Sequence, residues 1–76
     1  MSRGARLLLT FQSIHHVLAA EQALKAAGLA PDLVPVPKEI SADCGMAITL
    51  APGDRARALL ALEKAPPTRV LDGWTP

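Results

Sequence analysis

Apolar residues fall along this chain in short clusters of two kinds, compact runs and spaced stripes, and each kind predicts a different element. Arg6 to Phe11 is a compact run interrupted by one threonine, which predicts a strand covered on both faces. Ser13 then precedes Ile14, His15, His16, Val17 and Leu18, the pattern of a serine N-cap opening a helix that continues to Ala27. Gly28 supplies the stop, and Leu29 is placed to fold back onto the last turn. Helical periodicity puts Val17, Ala20, Leu24 and Ala27 on one side and His15, Glu21, Gln22 and Lys25 on the other. The apolar side is narrow and alanine-rich, which suits close packing on a sheet.

Asp32 to Val36 reads as a second strand, but it contains Pro35 and is followed by Pro37. Amides two residues apart in an extended strand point the same way, so both missing donors lie on one side. That side faces solvent and makes this an edge strand. Met46 to Leu50 reads as a third strand, apolar enough for the sheet interior. Pro52-Gly53-Asp54 breaks it and offers Asp54 as the N-cap of a second helix over Arg55 to Ala65, with Ala56, Leu59, Leu60 and Leu62 as its apolar face. Pro66-Pro67 ends that helix. Thr68 to Leu71 is a short fourth strand, Asp72-Gly73 a turn, and Trp74 belongs to a short tail over residues 72–76.

The order strand, helix, strand, strand, helix, strand predicts an α+β, ferredoxin-like βαββαβ domain: a four-stranded antiparallel sheet with two helices on one face. In that topology the first and third strands are central and the second is an edge, as its prolines independently require. The third strand then begins beside the end of the first. The loop before it therefore meets the N-terminus of the first helix.

Length and composition narrow the possibilities further. Seventy-six residues make one small domain, with an ordered core over about 6–71. A chain this short buries only about 60% of its unfolded surface, so modest stability and a homodimer are both in keeping with its size. The net charge is +1, and the 8 basic residues are spread along the chain, which argues against a nucleic-acid surface or a polybasic membrane patch. The RNA-binding version of this fold stacks bases on aromatic residues of its central strands, where this chain has Leu7, Leu8, Leu9, Met46, Ala47 and Ile48. An acyl-phosphate hydrolase would need an arginine-lined loop after the first strand, and none is present. Leu7-Leu8-Leu9 is too short for a signal peptide and no stretch approaches a membrane span, so a cytoplasmic protein with no membrane segment is expected.

The candidate chemistry lies in Pro37-Lys38-Glu39-Ile40-Ser41-Ala42-Asp43-Cys44-Gly45, which holds the only cysteine. One cysteine makes no internal disulfide, so the fold needs no oxidising compartment. A cysteine at a loop end beside a helix N-terminus meets unpaired amides and partial positive charge, which favour the thiolate. His15 and His16 stand in the first turn, about 100° apart around the helix, so at most one aims at the sulfur. Lys38 can attract an anionic group. Gly45 allows either a positive φ or the close approach of a partner's backbone. The opposing reading is a small buried cysteine with only a structural part. A zinc site from the histidines, Asp43 and Cys44 matches no ligand spacing, and no metal or cofactor is expected.

Phe11-Gln12-Ser13 with His15 and Glu21, then Pro35-Val36-Pro37-Lys38-Glu39-Ile40-Ser41 and Cys44-Gly45, resemble a small domain family of selenium/sulfur carrier-like proteins. The resemblance runs from Leu7 to about Leu71 and departs from the family pattern mainly at Val17, where alanine is expected, and in the alanine-rich second helix. It implies that Cys44 carries sulfur or selenium as a persulfide or selenium adduct and hands it between donor and acceptor proteins. The site would comprise Cys44 as carrier thiol, His15 and His16 assisting it, and Ser13, Lys38, Ser41 and Gly45 contacting the transferred group. Such a protein is a stoichiometric carrier rather than an enzyme. The alternative is a small dimeric ferredoxin-like binding or regulatory module whose cysteine is structural and whose sheet or Trp74 forms the interface.

Overall fold

The computed structural model describes residues 6–39 and 45–74. Within them the elements are β1 (Arg6–Thr10), α1 (Ile14–Ala26), β2 (Asp32–Pro35), β3 (Met46–Leu50), α2 (Arg55–Ala61) and β4 (Arg69–Trp74), with one 3-10 turn over Pro52–Asp54. The strands form one antiparallel sheet in the order β2-β3-β1-β4. This is the ferredoxin-like α+β arrangement, with β1 and β3 in the middle and proline-bearing β2 at an edge.

Alternation along β1 explains its uniformly apolar sequence. Leu7 and Leu9 pair with Leu50 and Ile48 of β3 and point into the main core. That core also takes Val17, Ala20 and Leu24 from α1, and Ala58 from α2 with Leu62 just beyond it, so both helices cover the same face. Leu8 points the other way, opposite Thr49 and Leu71, and anchors a second cluster with Val36 and Ala47. A strand with apolar neighbours on both sides has no reason to alternate.

The end of α1 is built as its sequence predicts. Gly28 has φ +83, its amide donates to Lys25 O, and the amide of Leu29 donates to Leu24 O, both at 3.0 Å. These two bonds are those of a Schellman stop, with Leu29 and Leu24 meeting in the core. Ala27, expected on the buried side, is exposed, because it is already the C-cap.

The second half of the chain corrects several expectations. α2 ends at Ala61 rather than Ala65; the amides of Glu63 and Ala65 bond back to Leu60 O and Leu62 O in tight turns. Pro66 and Pro67 disfavour helical backbone just before them, so the last turn unwinds. The shorter helix buries Ala58, with Leu62 at its C-cap, and leaves Ala56 exposed and Leu60 70% exposed. Asp54 stands at the N-cap without a side-chain bond; its amide donates to Ala51 O at 3.0 Å, and the 3-10 turn leads the chain into α2.

The expected turn at Asp72-Gly73 is instead part of β4. Arg6 pairs with Trp74 and Leu8 with Leu71, so three steps on β4 match two on β1. Gly73, at φ +72, accommodates the extra residue. The bulge shifts the alternation by one position and returns Trp74 to the side of Leu71, where it packs against the Leu8 cluster. Trp74 is thus a half-buried strand residue rather than part of a loose tail.

Candidate functional site

The sheet topology brings three chain segments to one corner. β1 pairs its last residue, Thr10, with Ala47, and α1 begins four residues after Thr10 at Ile14. β3 begins at Met46, so Gly45 enters the sheet at the same end at which β1 leaves it. The amide of Val36 donates to Gly45 O at 2.9 Å, which closes the β2–β3 ladder there.

Ser13 is the N-cap of α1. Its backbone is extended at φ −154 and ψ 167, and its carbonyl accepts the amide of Val17 at 3.1 Å. Its Oγ accepts the amide of His16 at a long 3.5 Å and lies 2.8 Å from Nδ1 of the same residue. The first turn contains no acidic residue. Both His15 and His16 are solvent-exposed, so their rings are open to an incoming group.

Lys38 and Glu39 form an exposed turn after Pro37. Gly45 is exposed, and a Cβ built on it would meet no described residue other than its chain neighbours within 4 Å. Its φ is not positive, so the conformational reason for glycine falls away, and the openness of its surroundings remains. Cys44 and Ser41 lie outside the described residues. Among the described candidates, the structure joins Ser13 to His16 and sets Gly45 at the same end of the sheet; Lys38 belongs to the connection between β2 and β3.

The side-chain bond between Ser13 and His16 is the feature that reading for cysteine chemistry overlooks. Its signal is the spacing: a serine cap followed three residues later by a side chain able to reach back is the frame of the capping box, here with histidine in place of glutamate. Among the described residues no three of His, Cys, Asp and Glu gather into a metal-binding group. No helix among them is long and apolar enough to cross a membrane.

The fold and this corner define a small ferredoxin-like α+β domain with a histidine-bearing, serine-capped helix start beside the entry to its third strand. A family model described as "Putative Se/S carrier protein-like" matches residues 6–68, and the chain belongs to that family. No curated protein and no solved structure gives a significant match.

Proposed function

We propose that this protein is a cytoplasmic thiol carrier of sulfur or selenium, with Cys44 as the carrying residue and other proteins as donor and acceptor. The observation that carries this reading is the family match over residues 6–68, which spans the only cysteine of the chain. Cys44 precedes Gly45 in sequence, and Gly45 enters the sheet at the end where α1 begins. The unpaired amides of a helix start favour a nearby thiolate, the nucleophilic form of cysteine.

In the transfer step, the Cys44 thiolate attacks the outer sulfur of a donor persulfide. A new S–S bond forms at Cys44, the donor's S–S bond breaks, and its electron pair leaves on the donor's inner sulfur as a thiolate. The proton of the outer sulfur travels with it, and no external oxidant is consumed. Handing the atom to an acceptor thiolate repeats the exchange in the other direction. A perselenide donor follows the same course with an S–Se bond broken. One of His15 and His16 would supply a hydrogen bond to the anionic sulfur and Lys38 positive charge, and Ser41 and Gly45 would border it.

The test is intact-mass and peptide mass spectrometry of the protein isolated from its host without reductant. A reductant-labile increment of about 32 Da for sulfur or about 80 Da for selenium, confined to the Cys44 peptide, is the expected result. Finding Cys44 unmodified there, and unreactive when challenged with a persulfide donor in vitro, would overturn the assignment.

A further inference from the structure

The Ser13 hydroxyl serves two groups at once. It accepts the amide of His16 and lies 2.8 Å from His16 Nδ1, a distance at which one of the two side chains must donate to the other. Two neutral arrangements satisfy that contact. In one, Ser13 donates its proton to a bare Nδ1 and the ring carries its own proton on Nε2. In the other, Nδ1–H donates to Ser13, and two N–H groups converge on one oxygen.

The first is favoured by the way hydrogen bonds polarise one another. An oxygen that accepts an amide becomes a better donor, so the run from the amide of His16 through Ser13 Oγ–H to Nδ1 reinforces itself. The second places another positive dipole end at the helix N-terminus, where the unpaired amides already supply that sign and no acidic side chain offsets it.

We propose that Ser13 is a positioning residue that fixes His16 in its Nε2–H tautomer and presents that N–H as a hydrogen-bond donor. Nδ1 is held by Ser13, Nε2 lies on the opposite edge of the ring, and it has no hydrogen-bond partner among the described residues. His16 is exposed, so this edge can be reached from outside. The chemistry it suits is an anionic acceptor such as a thiolate, persulfide or hydroselenide. His15 has no such tether among the described residues, so of the two histidines it is His16 that is pre-oriented. This part rests on the carrier reading above; the tautomer itself does not.

The test reads the tautomer directly by two-bond proton–nitrogen correlation NMR on imidazole-labelled protein at about pH 8, above the ordinary histidine range. The expected spectrum of the natural protein shows His16 protonated at Nε2. Ser13→Thr keeps a donor hydroxyl and should keep that pattern. Ser13→Asp keeps an N-cap but can only accept, so it should retain the helical circular-dichroism signal while moving the His16 proton to Nδ1. A wild-type spectrum with Nδ1–H, or one unmoved by Ser13→Asp, overturns the proposal.

A second arm measures alkylation of Cys44. Ser13→Asp should slow it by about fivefold more than the same substitution does in His16→Ala protein, which shows the effect of the added charge alone, while Ser13→Thr leaves it near the natural rate. Equal slowing by Ser13→Asp in the two backgrounds would overturn the link between His16 and the thiol. The tautomer measurements are repeated in Cys44→Ser protein, which carries no thiol. Failure of the carrier reading alone leaves those spectra as expected, whereas failure of the Ser13 proposal changes them.

Discussion

The amide of Val36 donates to the carbonyl of Gly45 at 2.9 Å, and this bond sets the direction of its neighbours on either side. Because Val36 turns its N–H toward β3, the nitrogens of Pro35 and Pro37 turn away from it, toward the open edge of the sheet. The two prolines therefore remove donors only on the side where, among the described residues, no strand receives them. Val36→Pro should cost about 3 kcal/mol or more, read as a lowered midpoint in urea, whereas Pro37→Ala should stay within about 1 kcal/mol of the natural protein. Pro35→Val restores an edge donor and should raise self-association in size-exclusion chromatography, the outcome expected of an unguarded strand.

Gly45 offers a prediction of the opposite kind. It has no positive φ and, among the described residues beyond its chain neighbours, nothing that a methyl group would touch. Gly45→Ala should thus leave thermal stability unchanged or raise it by about 0.4–1 kcal/mol through the unfolded chain. If glycine is there to admit a partner's backbone, the same variant should transfer sulfur to its acceptor more slowly. Unaltered transfer would remove Gly45 from the contact surface.

The closure of α1 involves a residue from the other half of the chain. Arg57 Nη2 donates to Ala27 O at 3.4 Å, one residue before the left-handed Gly28. Gly28→Ala should destabilise by about 1–2 kcal/mol because a Cβ is penalised at that φ. Arg57→Ala should cost less, within about 1 kcal/mol, since the contact is exposed. Differential scanning calorimetry of the two variants checks the order.

Trp74 is the sole tryptophan and reports on the second apolar cluster. Leu8 is fully buried in it, so Leu8→Ala should cost about 2–5 kcal/mol and shift Trp74 fluorescence to longer wavelength. Leu60→Ser, at a position 70% exposed, should do neither. Gly73→Val should also red-shift the emission, because a β-branched residue resists the bulge that turns Trp74 inward.

Substituting each histidine separately distinguishes their parts in the proposed carrier. His16→Ala should slow iodoacetamide alkylation of Cys44 by several-fold, and His15→Ala should slow it less. Two unchanged rates would remove both histidines from the site and leave the helix amides and Lys38 to support the thiolate.

Local composition decided most of what is periodic in this protein. The apolar runs of β1 and β3, the serine cap, the glycine stop and the prolines of β2 each express a short-range steric or hydrogen-bonding preference, so element order and the ferredoxin-like topology follow from residues close together in the chain. Three features waited on the folded chain. The register of β4 against β1 turned Asp72-Gly73 from an apparent turn into a bulge and carried Trp74 inward, because pairing with β1 outweighs a local turn preference. Docking of the second helix against the main core buried Ala58 and left Ala56 and Leu60 outside, a choice its own periodicity does not make. The bond between Ser13 and His16 depends on a side-chain rotamer at a helix start, which spacing permits but only the folded backbone selects.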